Sequence, residues 1–156
     1  MTHRLPTPQD TAPQDTTPYA ALVLRIALGT MFVAHAMLKY AVFTLPGTVK
    51  FFESIGLPGP LAYVTFFAEL IGGMLILAGV GTRWVALALV PILLGATWAH
   101  AGNGWVFNAP NGGWEYPAFL TVSAIVVALL GDGAYSARSL FSNRKPAGPK
   151  PVSYAL

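Results

Sequence analysis

The sequence predicts an all-α membrane protein: a bundle of four transmembrane helices with a short amphipathic outer helix between the first and the second. Hydrophobic residues make up 54% of the 156-residue chain and charged residues only 10%, whereas a soluble domain carries about 25% charged residues. Four separate stretches are apolar over lengths near the roughly 20 residues that a spanning helix needs. Because four segments are too few for a closed barrel, helices are the only elements that satisfy the backbone in lipid.

Composition also excludes several classes of function. The chain contains no cysteine, which excludes disulfides, thiol redox centres and iron–sulfur ligation. Its net charge of +3 arises from basic residues spread along the chain, so we expect no binding of nucleic acid. No metal site is predicted, and the lipid bilayer is the partner that the apolar composition implies.

The chain divides into one membrane domain and two tails. Residues 1–18 and 141–156 are polar and rich in proline, and we expect them to be disordered because they bury too little apolar surface to offset the entropy of ordering. The membrane domain covers residues 19–140, with predicted spans at about 19–40, 61–80, 84–101 and 116–131.

The two longer connections differ in character. Between the first two spans, Phe51, Phe52 and Ile55 recur on one side of a short run bounded by proline and glycine. This pattern predicts an amphipathic helix that lies on the membrane surface. Between the third and fourth spans, residues 102–115 are rich in glycine and asparagine, which predicts a series of turns.

The distribution of lysine and arginine predicts the orientation in the membrane. With four spans, both tails and the tight turn between the second and third spans share one side. The basic residues on this shared side are Arg4, Arg83, Arg138, Arg144, Lys145 and Lys150. The opposite side carries only Lys39 and Lys50. The positive-inside rule therefore places both termini in the cytoplasm and the two longer connections outside.

Four ionisable residues form the candidate catalytic group: His35, Lys39, Glu69 and His100. A charge at the centre of a bilayer costs about 2.5–3.5 kcal/mol on the insertion scale, so such residues persist where they pair, face a cavity or take part in chemistry. His35 and Lys39 lie four residues apart and share one helix face. With a rise of about 1.5 Å per residue, all four come to the outer half of the bundle. Lys39 has a structural alternative, because its side chain can extend to the lipid headgroups.

Four further residues are predicted to support a binding site: Arg25, Glu115, Trp105 and Trp114. Trp105 and Trp114 suit the membrane interface, and Glu115 opens the fourth span, where the helix dipole also favours a carboxylate. Arg25 lies deeper. A buried structural ion pair between Arg25 and Glu69 stays open as an alternative to a functional role, because charges inside membranes usually pair.

Many of these positions belong to one ordered set that runs from the first span to the end of the fourth. Its members are Leu24, Arg25, Gly29, Phe32, His35, Lys39, Phe51, Phe52, Gly56, Leu57, Pro58, Glu69, Gly72, Gly73, Gly79, Gly81, Thr82, Arg83, His100, 112–116, Gly131, Gly133 and Ser136. In this order and spacing the chain resembles the DoxX family of small four-helix membrane proteins over roughly residues 20–138. Ala36 departs from the family pattern, since many members have glycine after the histidine.

The resemblance implies a multi-pass protein of the bacterial cytoplasmic (inner) membrane. The family includes membrane subunits of thiosulfate:quinone oxidoreductases and members linked to oxidative stress and detoxification. Its eukaryotic relatives act as receptor-assembly factors without evident catalysis. Family membership of this kind determines the fold better than the activity.

Two functions from different classes follow. The first is a quinone-reactive or redox-partner membrane subunit of an oxidoreductase, in which His35, Lys39, Glu69 and His100 offer hydrogen bonds and protons to a quinone. Its electrons would come from a protein partner or a bound cofactor. The alternative is a non-catalytic membrane scaffold or assembly factor that binds a protein partner or forms a homo-oligomer. Haem ligation by His35 and His100 and small-molecule transport rank below both.

Overall fold

The computed structural model describes residues 15–141, and every regular element in this range is helical. The predicted all-helical class is therefore confirmed. Most of the two tails predicted to be disordered lies outside the described residues, although the first tail is already helical from Thr17 onward. Within residues 15–141 the α-helices are α1 (Thr17–Met37), α2 (Leu45–Ser54), α3 (Leu61–Ala78), α4 (Thr82–His100), α5 (Glu115–Leu130) and α6 (Ala137–Phe141).

Three helical stretches are long and apolar enough to cross a membrane, and a fourth is apolar but shorter. The long ones are Thr17–Val42, Leu61–Ala78 and Thr82–Asn103, and the shorter one is α5. The predicted spans coincide with these four stretches to within a few residues at each end. The predicted amphipathic helix is α2, and Thr44 caps it by accepting a hydrogen bond from the Gly47 N–H at 3.2 Å.

The first long helix does not end as a regular α-helix. It passes into a π-helical turn at Leu38–Val42, where the N–H of Phe43 donates to the carbonyl oxygen of Leu38 at 2.9 Å. Such a turn closes over one residue more than an α-helical turn does, and π-turns within helices occur often at functional sites. Lys39 lies inside this turn.

The three long helices and the shorter α5 form a ring in the order α1, α3, α4, α5. The most extensive contacts join α1 with α3 and α4 with α5, and α3 with α4 and α1 with α5 complete the ring. Close approach of α1 and α3 depends on glycine: a Cβ on Gly29 would lie 3.0 Å from the Gly73 carbonyl oxygen, and a Cβ on Gly73 would lie as close to that of Gly29. The buried core inside the ring consists of Leu28, Phe32, Ile76, Ala86, Leu89, Leu93, Leu120, Ala124, Val127 and Ala128.

Candidate functional site

A cavity of about 900 Å³ lies within the ring, between the buried core and α2. Phe32, Leu93 and Leu120 of the core line one part of it, which we call the floor, and Phe51 and Phe52 of α2 line another part, which we call the roof. Most of the lining is apolar. The polar side chains on it are those of His35, Lys39, Thr48, Thr65, Glu69, His100, Asn111 and Tyr116. The four candidate catalytic residues therefore share one cavity, while their roles in catalysis remain a prediction.

The cavity contains an ion pair between two of these residues. The Lys39 ammonium donates to Oε2 of Glu69 with the nitrogen and oxygen 2.6 Å apart, and the two side chains keep 17% and 8% of their exposure. Charge-assisted hydrogen bonds of this length are among the stronger ones in proteins. Lys39 thus turns inward rather than extending to the headgroups. The alternative ion pair between Arg25 and Glu69 is wrong, because the Glu69 carboxylate is bound to Lys39.

Both cavity histidines are held by backbone carbonyl groups. Nδ1 of His35 lies 2.7 Å from the Met31 carbonyl oxygen, and Nδ1 of His100 lies 3.0 Å from that of Gly112. Asn103 also donates to the Gly112 carbonyl at 2.9 Å, which fixes the loop around His100. A carbonyl oxygen can only accept, so each Nδ1 carries the hydrogen. In the neutral imidazoles Nε2 is then left as an acceptor.

Tyr116 completes the polar side of the cavity and is absent from the site predicted by sequence. Its ring stacks on that of His35, with centroids 5.7 Å apart and an angle of 23° between the planes. Its hydroxyl oxygen is buried and has no hydrogen-bond partner among the described residues. Buried hydroxyl groups are normally paired. The available signal in the sequence was its place in the first turn of the fourth span, directly after Glu115.

Arg25 lies elsewhere and does not line this cavity, so its predicted supporting role in the site has no geometric basis. It is 2% exposed, and its guanidinium donates to the carbonyl oxygens of Asp132, Ala134 and Tyr135 at 2.9, 3.4 and 3.3 Å. Lys39 is fourteen residues further along the helix, which at the α-helical rise is about 21 Å. Arg25 and Lys39 therefore lie toward opposite ends of the bundle.

Glu115, Trp105 and Trp114 also lie outside the main cavity. Oε1 of Glu115 accepts a hydrogen bond from the Phe107 N–H at 2.7 Å, and the Glu115 N–H donates to the Trp105 carbonyl at 3.1 Å. The rings of Trp105 and Trp114 pack edge to face with centroids 4.4 Å apart. These residues therefore fasten the loop before α5 to the start of that helix. They support the site only indirectly, since the same loop holds His100.

Comparison with known proteins identifies the family. The profile of the DoxX family matches residues 20–102. The chain is also 37% identical over 112 residues to a protein of Bacillus subtilis (strain 168) named "Putative oxidoreductase CatD", an alignment that covers 71% of this chain and 78% of that protein. No solved structure gives a significant match. Together with its long apolar helices, these matches show that the chain is a multi-pass membrane protein and belongs to the DoxX family.

Proposed function

We propose that this protein is a quinone-reactive or redox-partner subunit of the bacterial cytoplasmic membrane. The observation that carries the proposal is the cavity of about 900 Å³ in which an apolar lining surrounds the Lys39–Glu69 ion pair and two histidines. Small-molecule sites have this character: a mostly apolar pocket of roughly 300–1,000 Å³ with a few convergent polar groups. The name of the Bacillus relative, an oxidoreductase, supports the same class of function.

The polar groups match the chemistry of a quinone headgroup. Reduction of a quinone to a quinol takes up two electrons and two protons, one on each of its two oxygens. Lys39 offers a hydrogen-bond donor for one oxygen. For reduction, His35 and His100 would each carry a proton on Nε2, give it to one quinone oxygen, and then accept a hydrogen bond from the hydroxyl group formed. Because the chain has no cysteine, the electrons are supplied by a partner protein or a bound cofactor.

The topology completes the proposal. We infer that α5 is the fourth span and that both termini are cytoplasmic, which follows from the positive-inside rule. The sixteen residues of α5 extend about 24 Å, somewhat less than the roughly 30 Å of a hydrocarbon core. The packed pair of Trp105 and Trp114 beside its first turn suits the headgroup level at that end. The cavity then lies in the outer half of the bundle.

The test is to identify what the purified protein binds. We expect protein purified in mild detergent to retain a quinone that mass spectrometry detects, and added quinone analogues to raise its thermal stability. His100→Ala is expected to abolish both effects, whereas the control Arg83→Met, at an exposed arginine far from the cavity, is expected to keep them. If no quinone is retained and analogues leave the melting temperature unchanged, the proposal fails. Co-purification of a stoichiometric protein alone would favour the scaffold.

Haem ligation is the lower-ranked alternative in the same cavity. His35 and His100 each keep Nε2 available, and two imidazoles can ligate a haem iron. The Lys39–Glu69 ion pair makes this cavity unusually charged for a haem. A Soret band in the purified protein would reverse the ranking.

Replacing Tyr116 by Phe is expected to have opposite effects on stability and binding. The variant removes a buried hydroxyl without a partner, so the ligand-free protein should be as stable as the unmodified protein or slightly more stable. If that hydroxyl donates to the ligand, quinone affinity should fall about tenfold, which corresponds to ~1.4 kcal/mol. Thermal melting with and without quinone measures both. The control Tyr63→Phe removes a hydroxyl outside the cavity and should change neither. Unchanged affinity in Tyr116→Phe would show that the hydroxyl does not contact the ligand.

A further inference from the structure

One side of the cavity opens between α3 and α4. Val64 of α3 and Pro91 and Gly95 of α4 all line the cavity and are exposed, Val64 by 60%. Exposed lining residues mark where a cavity opens, and these three define the opening between α3 and α4, which we call the mouth. On helices that cross a membrane, such an opening faces hydrocarbon rather than water.

The mouth exists because the contact between α3 and α4 does not extend along their full length. The two helices are joined by the tight turn at 79–81. They touch at Gly72, where a Cβ would lie 2.8 Å from Cδ1 of Leu89. Further from the turn the contact is lost: a Cβ on Gly95 would meet no heavy atom within 4 Å. Two residues without a flexible side chain, Pro91 and Gly95, thus leave the gap between the helices unfilled.

Bulky side chains line the remaining sides of the cavity, and at the roof Phe43 and Phe51 are themselves 59% and 47% exposed. The floor belongs to the buried core. The roof is lined by the rings of Phe43, Phe51 and Phe52. The ion pair joins Lys39 of the π-turn after α1 to Glu69 of α3 and is mostly buried. A ligand that enters between α3 and α4 therefore passes apolar side chains first and meets the polar groups last.

We propose that the ligand enters sideways from the bilayer through the mouth formed by Val64, Pro91 and Gly95, and that it is a quinone with an isoprenoid chain. This inference rests on the proposed function and adds the class of quinone and its path. The ring occupies the polar part of the cavity, and the chain remains in the mouth and continues into the lipid. The apolar mouth suits the chain, because it offers no polar group that would need to be desolvated when the chain fills it.

The test uses two probes and matched variants. The probes are a naphthoquinone with an isoprenoid chain and the same ring with a methyl group in place of the chain, each added to protein in lipid nanodiscs. Gly95→Leu places a side chain in the mouth, and Gly102→Leu places the same side chain in open space outside the cavity. Val64→Trp and its control Ile71→Trp, an exposed α3 position outside the cavity, provide a second pair. Leucine is a better helix former than glycine, so the first pair preserves folding.

We expect Gly95→Leu and Val64→Trp to lower the affinity for the chain-bearing quinone at least about tenfold. Their affinity for the methyl compound should stay within about twofold of that of the unmodified protein. Both control variants should bind the two compounds as the unmodified protein does. Equal losses for the two compounds would show that the variants disturb the ring site, and no loss for either would show that the path lies elsewhere. Both results overturn the lateral path and leave the proposed function standing. Failure of the unmodified protein to bind either compound overturns both proposals.

Discussion

Lys39→Met is expected to lower the free energy of unfolding by about 3 kcal/mol, because it leaves the Glu69 carboxylate in the cavity without its cation. This loss of stability is at the lower end of the range for removing one partner of a buried ion pair, because the Lys39 side chain keeps 17% of its exposure and is not fully desolvated. Glu69→Leu should cost a similar amount for the converse reason. The double variant, with both charges removed, is expected to regain most of the loss, because two apolar side chains replace a pair whose desolvation offset much of its attraction.

The double-mutant cycle is measured by reversible unfolding in mixed detergent micelles. A coupling free energy between the two sites of more than about 1 kcal/mol is expected for residues in direct contact. Additive losses would show that the ion pair contributes nothing beyond its separate members. A quinone-binding assay distinguishes the effect of the ion pair on stability from its effect on function. The double variant should be folded and yet fail to bind quinone. Normal binding by the double variant would assign the pair a purely structural role.

Arg25→Met is expected to be at least as destabilising. The guanidinium is 2% exposed and donates to three carbonyl groups of the segment after α5, of which that of Asp132 is nearest at 2.9 Å. Hydrogen bonds to a charged group contribute about 1.5–3 kcal/mol each, and the carbonyl groups left behind would be partly buried without donors. We expect a loss of about 3–5 kcal/mol in total.

Gly79 makes room for this guanidinium. It ends α3 with a φ of 69°, and a Cβ there would overlap the Nη1 atom of Arg25. Arg25→Lys should recover only part of the stability, because an ammonium cannot span the separated acceptors as the planar guanidinium does.

The matched control for Arg25→Met is Arg83→Met. Arg83 also donates to carbonyl groups near the end of α5, those of Ala128 and Leu129, but its own side chain is exposed. Water can replace an exposed donor, so we expect a loss below about 1 kcal/mol. Protease sensitivity of the 131–136 segment gives a second readout, which should rise in Arg25→Met only. Equal stability of the two variants would show that burial of Arg25 does not determine its contribution.

The helices were predictable from sequence to a greater extent than the contacts between them. Apolar length alone identified the three long helices and the shorter α5 to within a few residues at each end. The gathering of His35, Lys39, Glu69 and His100 followed from depth along each span, and all four do line one cavity. These inferences require only the helical rise and the direction of each span.

What sequence could not supply was the partner of each polar group. Lys39, which pairs with Glu69, lies in a π-turn that periodicity does not reveal. The partners of Arg25 are backbone carbonyl groups more than a hundred residues away. The position of Tyr116 depends on the stacking of its ring on His35 across two helices. In each case the partner lies far away in the sequence, so the local sequence pattern does not identify it.

If the cavity binds a quinone as proposed, the orientation of the two imidazoles has a consequence for the midpoint potential of that quinone. With Nδ1 of both His35 and His100 committed to carbonyl oxygens, the neutral rings present two acceptors to the cavity. A quinol, which carries two hydroxyl groups, satisfies both acceptors, whereas the oxidised ring carries none. Tighter binding of the reduced form raises the midpoint potential of a bound two-electron couple by about 30 mV for each tenfold difference in affinity. For the proposed quinone, the hydrogen bonds that hold the imidazoles would thus raise the midpoint potential and favour the quinol.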